Sequence, residues 1–430
     1  MPHVQNHFDV IVIGAGASGL SAASELANGG KKVAVLEARE RVGGRIHTVP
    51  GMVPGSVVEL GAEFIHGNLE RTQELLTKAG IGKTSFDGTY WKHENGSFAQ
   101  AGEPVENSEA VLQKLSTLEG DLPVSEFIDR YLQGPQFASS RVSIANYVSG
   151  YSAADPARAS SFAFRADLES VEQDQYRPKG GYGALMGSRV RQLEKESVPV
   201  LLSHPVEHIA WKKGEAKVFA NGLCWSGKQV LVTIPLGLLQ RETIRFDPAL
   251  PQIHQAATRL GFGNVIKVVL HFKTAFWEDT ARTGGTQLNN LCFLFTDQVF
   301  PTWWRGEPSG GPSLTGWLAG SFADPYLDHK DNELIQLAHH SLMRIFNMCE
   351  EDFQQNVLHS FVVNWHKDPY SLGAYSYAVP GDAAARDHIR QGVEETIFFA
   401  GEALYTGPLL GTVEAALASG AEMAQRMLNG

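Results

Sequence analysis

The sequence predicts an α/β protein built on a Rossmann-like dinucleotide-binding domain, with a second domain of α+β character. Three observations predict it. Phe8–Ile13 is a β-branched apolar run, the pattern of a parallel strand buried on both faces. It runs directly into Gly14-Ala15-Gly16-Ala17-Ser18-Gly19, which opens a helical pattern ending near Asn28, where Gly29-Gly30 can cap it. A second strand, Lys32–Leu36, ends on Glu37, close to the ~20-residue spacing at which an acid meets ribose hydroxyls.

Each glycine has a reason. Gly14 turns the chain off the strand, Gly16 lets backbone approach a pyrophosphate, and Gly19 lets helix and strand pack closely. The helix N-terminus at Ala17 and Ser18 offers free amides and a positive dipole end to phosphate.

Composition bounds the rest. The 430 residues suffice for two domains, and 43% hydrophobic with 19% charged residues is ordinary for a globular chain. A net charge of −11 argues against nucleic acid as partner and fits a cationic ligand. Cys224, Cys292 and Cys349 are far apart with no CxxC, which points to a reducing, cytoplasmic setting. The fifteen histidines show no HExxH or paired spacing, so no metal site is expected. No apolar run reaches the ~18 residues of a membrane span, and Met1–His7 is too short and polar for a signal peptide.

Downstream, Val57–Gly67 carries Gly61 and Ala62, small residues where backbone can pass a ring, then Glu63 and His66. Leu69–Ala79 reads as an amphipathic helix ended by Gly80. Residues 81–177 read as helical in patches, with loops at 87–102 and 121–123; Tyr147, Tyr151, Phe162 and Phe164 read as core aromatics. A helix follows Pro178–Gly183 to about Lys195, then strands at Val198–Leu202, Val206–Trp211, Ala216–Ala220 and Gln229–Ile234. Residues 261–270 read as one strand holding Lys267 among apolar neighbours; such a lysine either exits at an edge or serves a purpose. Phe398–Glu402 reads as a last strand, and Gly411–Ala416 opens a final helix to about Met427.

Glu37-Ala38-Arg39-Glu40-Arg41-Val42-Gly43-Gly44-Arg45 resembles the signature of the flavin amine oxidases, which include monoamine, polyamine and L-amino-acid oxidases and flavin-dependent histone demethylases. Similar runs recur at 57–67, 230–239, 261–270, 365–377 and 398–416. The resemblance implies a Rossmann-like FAD-binding domain of the GR2 flavoprotein type at residues 1–80, 178–262 and 385–430. It leaves 81–177 and 263–384 to an α+β substrate-binding domain. It implies that Gly43, Gly44 and Arg45 meet the FAD pyrophosphate and that Gly61, Ala62 and Glu63 lie near the flavin. Val206 backbone would reach adenine, and Glu402 after Gly401 the ribityl chain. Trp365 matches a tryptophan near the flavin's benzenoid end, Tyr375 one wall of an aromatic cage, and Val413 an amide donor to the pyrimidine ring. Thr412 stands where monoamine oxidases have the second cage tyrosine. Lys267 matches a lysine that holds a water against flavin N5, and His66-Gly67 a pair found in polyamine oxidases. Ala374 stands where covalent flavin attachment uses cysteine, so FAD is expected non-covalent.

The activity so implied is hydride transfer from an amine Cα–H to flavin N5, imine hydrolysis, and reoxidation by O2 to H2O2. The substrate is a mono-, di- or polyamine, with a homodimer as candidate assembly. The alternatives are an L-amino-acid oxidase, with Arg141, Arg158 or Arg165 gripping a carboxylate, a desaturase of a biosynthetic intermediate, or an FAD-bound chromatin reader.

Overall fold

The computed structural model describes residues 4–170, 174–407 and 409–430, and lays the hydrophobic runs into two large sheets. In the first, five strands lie parallel: Val200–Leu201, Val33–Leu36, Val4–Ile13, Leu223–Val232 and Ile397–Phe399, in that spatial order. The long Leu223–Val232 strand serves two neighbours on its far side. Its first half pairs antiparallel with Glu215–Ala220, and its last three residues pair with Ile397–Phe399. Val206–Lys212 and Arg245–Asp247 complete the sheet.

Period-two alternation divides these strands between two cores. Val10, Val12, Val33, Val35 and Phe398 pack against helices Ala17–Asn28, Gly181–Lys195 and Val413–Asn429. Ile11, Ile13, Ala34, Leu36 and Phe399 pack against Pro251–Thr258 and Ala383–Gln391. Covering both faces is why the strands read as unbroken apolar runs. The first and last helices touch closely: the Ser21 hydroxyl donates to the Leu417 carbonyl at 2.9 Å, and a Cβ on Gly420 would stand 2.1 Å from the Ser18 carbonyl.

The second sheet has seven strands, in the order Val357–Asn364, Val265–Phe272, Ser313–Ala319, Thr302–Arg305, Leu291–Thr296, Thr89–Glu94 and Ser97–Gln100. All pairs are antiparallel except Leu291–Thr296 with Thr89–Glu94. Val265–Phe272 is buried along its whole length. Its even residues enter the core with helix Asp331–Ile345, which turns Val265, Lys267 and Val269 to the other face. Helices Ser108–Leu115, Val124–Tyr131, Ala138–Gly150 and Ser161–Glu169 share a separate core around Phe127, Ile144 and Phe164.

Three expectations are corrected. Residues 89–100 are a hairpin in the second sheet, not a loop: Trp91 and His93 point in, and Asn95 and Gly96 have φ of 52° and 75°. The 261–270 run is two strands, because Gly261–Phe262 pairs separately with Ser376–Tyr377 before Val265 begins the main sheet. The last strand stops at Phe399, and Glu402–Leu404 forms a 3-10 turn.

Candidate functional site: a cofactor cradle opening on an acidic chamber

Ile13, Leu36 and Thr233, at the carboxyl ends of three parallel strands, border one continuous cavity of about 2970 Å³. Ordinary small-ligand pockets reach about 1,000 Å³, so there is room here for a large cofactor and a substrate together. Every residue singled out for the cofactor and the amine lines this cavity except Gly19. Gly19 packs behind it, where a Cβ would lie 1.9 Å from the Gly14 carbonyl.

The cradle is built from backbone. Helix Ala17–Asn28 starts at Gly16 with no side-chain cap and no acid in its first turn, which leaves its amides for an anion. The Gly43 amide donates to the Ala15 carbonyl at 2.8 Å, and Gly16 and Gly43 form a bridge, so the two glycine stretches make one floor. Glu37 is buried, its oxygens accepting from the amides of Ala15 at 2.7 Å and Arg39 at 2.9 Å. Arg39 is held by Asp368 and by the Ser371 hydroxyl at 3.0 Å, and Arg45 by Glu402 at 2.8 Å and the Ala374 carbonyl. Glu402 also accepts from Ser376. A Cβ on Gly61 would stand 1.8 Å from the Arg45 carbonyl. Ala38, Gly44, Ala62, Val206 and Gly401 line the same walls, and buried Trp365 packs beside Ala374. An uncapped helix start, a glycine floor and a fixed acid after the second strand fit a flavin dinucleotide.

Two of the expected site residues are also engaged by the protein itself. Thr412 lines the cavity and is the N-cap of helix Val413–Asn429; its hydroxyl accepts from the Ala415 amide at 3.1 Å and donates to the Leu409 carbonyl at 2.7 Å. Val413 follows as the first helical residue, at the cavity wall. Glu63 lines the cavity, but its carboxylate is engaged by the protein. It meets Lys267 Nζ at 2.7 Å, Arg177 at 2.6 Å and the Trp304 indole N–H at 3.2 Å. Burial pushes the Glu63 carboxyl up, but the charges of Lys267 and Arg177 outweigh this and hold it below the usual carboxylate range. Lys267, 1% exposed, also donates to the Gly61 carbonyl at 3.3 Å and lies over the Trp304 ring. Arg177 is clamped between the rings of Phe64 and Phe86. Sequence reasoning missed it, because nothing in local spacing links 63, 177 and 267.

Beyond the triad the cavity becomes a chamber. The Tyr375 hydroxyl donates to the Tyr151 carbonyl at 2.9 Å, and its ring lies near-parallel to Trp317, 6.5 Å away. His66 meets Tyr151 edge-on at 6.3 Å, and burial holds its imidazole at about 4, hence neutral near pH 7. Tyr147, stacked on Tyr151 at 5.1 Å, and Phe164 line the chamber as well as the helical core, so the favoured core reading and the pocket reading both hold for them. Arg141, Arg158 and Arg165 do not line it: Arg141 donates to Leu132 and Gly134 carbonyls, Arg158 to the Leu260 carbonyl, and Arg165 pairs with Glu169. Among the described residues, no helix is long and apolar enough to cross a membrane and no acid, His or Cys cluster could hold a metal.

The family model described as flavin containing amine oxidoreductase matches residues 17–428. Among curated proteins, the chain is 27% identical to lysine-specific histone demethylase 1 homolog 2 of Arabidopsis thaliana over 100% of its own length but 59% of that protein's. It is 28% identical to polyamine oxidase 4 of Oryza sativa subsp. japonica, over 97% of this chain and 89% of that one. Among solved structures, putrescine oxidase bound to putrescine superposes with a TM-score of 0.79 over 99% of this chain and 100% of that one, at 21% identity. Cyclohexylamine oxidase from Brevibacterium oxydans gives 0.77 at 21% identity, over 98% and 99% of the two chains.

Proposed function

Because the chain belongs to the flavin-containing amine oxidoreductase family, we propose that it oxidises a small amine with O2. The net reaction is RCH2NH2 + O2 + H2O → RCHO + NH3 + H2O2. FAD, held without a covalent bond, supplies the two-electron acceptor for the hydride equivalent that leaves the amine Cα. The single observation that carries this reading is the junction of the glycine cradle with a chamber walled by Tyr375, Trp317 and neutral His66, at the buried Lys267.

The chain's own residues have definite tasks. The aromatic faces of Tyr375 and Trp317 orient the amine and favour the positive charge that grows on its nitrogen. Neutral His66 accepts a hydrogen bond from the amine without repelling it. Lys267, clamped by Glu63 and Gly61, has a third N–H free to hold a water at a fixed place. Burial excludes bulk water from that end. The FAD-binding part spans residues 1–80, 178–262 and 385–430, and the substrate part the remainder. The absence of Arg141, Arg158 and Arg165 from the chamber weighs against an amino-acid carboxylate as the recognised group.

The test is the purified protein with a panel of amines, followed without O2 by loss of the flavin's visible absorbance and with O2 by peroxide release. A yellow protein that no amine bleaches would end this reading. Lys267→Met is expected to keep the flavin while turnover falls by about tenfold or more; unchanged turnover would remove Lys267 from the mechanism.

A further inference from the structure

We propose that Arg177, which does not line the cavity, is a positioning residue for the redox end of the site. By taking one oxygen of the Glu63 carboxylate it holds that group between two cations, so that the wall at Lys267 keeps a positive charge that a Lys267–Glu63 pair alone would cancel. The proposal concerns the reduction potential of the bound FAD; it rests on the cofactor reading, and not on which amine is oxidised.

Arg177 belongs to strand Gln175–Pro178, which lies between Ile65–His66 and Lys83–Ser85. Its side chain, 9% exposed, sits behind the wall that Gly61, Ala62, Glu63 and Lys267 present to the cavity. Its Nε and one terminal nitrogen donate to Glu63 Oε1 at 2.8 and 2.6 Å. The same terminal nitrogen donates to the Arg305 carbonyl at 2.9 Å. The guanidinium carbon lies 4.9 and 4.1 Å from the ring centroids of Phe64 and Phe86. Glu63 Oε2 goes to Lys267 Nζ at 2.7 Å, and the Trp304 indole N–H reaches both oxygens at 3.2 Å. One oxygen thus serves each cation.

A carboxylate at hydrogen-bond distance cancels most of the field that a single ammonium casts further away. Burial pushes the Glu63 carboxyl up, but the charges of Lys267 and Arg177 hold it below the usual range, so it stays ionised. Two cations against one anion leave one positive charge in a wall where water screens little. The other charged groups facing this cluster act from its edges. Glu307 stands 3.9 Å from Arg177 and is half-buried, and Arg305 donates to the Asp87 carbonyl at 3.0 Å. Glu59 accepts from the Thr48 hydroxyl at 2.7 Å and the Tyr182 amide at 2.6 Å. Burial pushes its carboxyl up to about 7, so at pH 8 it carries its charge in wild type and Arg177 variants alike. The difference that Arg177 makes is then one unit of positive charge. Two-electron reduction near that pH takes up one proton, FAD + 2 e− + H+ → FADH−, and leaves one negative charge on the cofactor. A fixed positive charge in the cavity wall favours that product.

The measurement is the midpoint potential of bound FAD at pH 8, read without O2 or amine by equilibration with a reduced reference dye, which supplies the two electrons. Arg177→Gln keeps a donor to Glu63 and removes the charge. It is expected to shift the two-electron equilibrium about tenfold toward oxidised FAD, about 30 mV lower. Arg177→Lys keeps the charge without the planar fork and is expected to recover most of that shift. Glu307→Gln, at the solvent edge, is expected to move the equilibrium the other way, by about twofold. An Arg177 that only braces the fold would lower unfolding stability and leave the potential unmoved, or would move it equally in Arg177→Gln and Arg177→Lys; either result overturns the proposal. Should Arg177→Gln not retain FAD, Glu307→Gln decides, and an unmoved or lowered potential there overturns it. Failure of every amine to bleach the wild type would end the oxidase reading and leave this comparison of potentials intact.

Discussion

The cradle and the chamber treat their charged groups in opposite ways. In the cradle, Glu37 is satisfied by two backbone amides, Arg45 by Glu402, and Glu402 in turn by Ser376. In the chamber, the His66 imidazole has no hydrogen-bond partner among the described residues, and the Asp167 carboxylate has no cation. The Lys267–Glu63–Arg177 triad marks the boundary, with two buried cations sharing one buried carboxylate. The difference separates a surface built once around a permanent occupant from one that must accept and release molecules repeatedly. Saturated groups hold their geometry with the site empty or full; unsaturated ones keep binding energy for the visitor.

Attacking the boundary has the largest expected effect. Glu63→Leu leaves buried Lys267 without its anion and Arg177 with only Glu307 at 3.9 Å, and is expected to cost about 3–5 kcal/mol in urea unfolding. A loss under about 1 kcal/mol would mean that the triad is not a structural unit.

Next comes the cradle. Gly61→Ala places a methyl 1.8 Å from the Arg45 carbonyl, against backbone that cannot yield cheaply. It is expected to lower stability by about 1–3 kcal/mol and to weaken FAD retention, read as the protein-bound flavin surviving gel filtration. Full retention would show that the floor tolerates a shift.

The chamber should respond with the opposite sign. The Asp167 carboxyl sits at about 6 in the folded protein against an ordinary 3.8. A raised value means that its favourable share is complete below the unfolded pKa and is lost as pH rises through the folded one. Asp167→Asn has no such loss. The variant should therefore be more stable than wild type near pH 8 by about 1–2 kcal/mol, after allowance for the side chain's opening to the cavity, and the gap should narrow toward pH 4. Wild type and variant equally stable near pH 8 would mean that the carboxylate has a cation in solution.

How far the sequence foretold this follows from how local each signal is. The cradle was legible because Gly14 to Gly19 and Glu37 to Arg45 are short runs whose spacing follows from one strand–turn–helix unit. Lys267 was legible because a charge inside an apolar strand is anomalous. The 89–100 hairpin had a signal that was passed over: Asn95-Gly96 between alternating residues is the pairing that a tight hairpin turn requires. Arg177 was not legible, since its partner lies 114 positions away and only the fold brings them together. Thr412 was legible as a wall residue but not as a helix N-cap, because the capping bond to the Ala415 amide depends on where the final helix begins. Asp167 carries no pattern; its meaning comes from what is missing around it.

The contact between helices Ala17–Asn28 and Val413–Asn429 sets an order of events. The ribosome delivers the first wall of the nucleotide cleft early in translation and the last wall almost four hundred codons later. A nascent chain can hold its amino-terminal βαβ unit ready, but without residues 397–429 the cleft stays open on the side where the closing helix will dock. The nucleotide cleft is therefore complete only once the closing helix has docked.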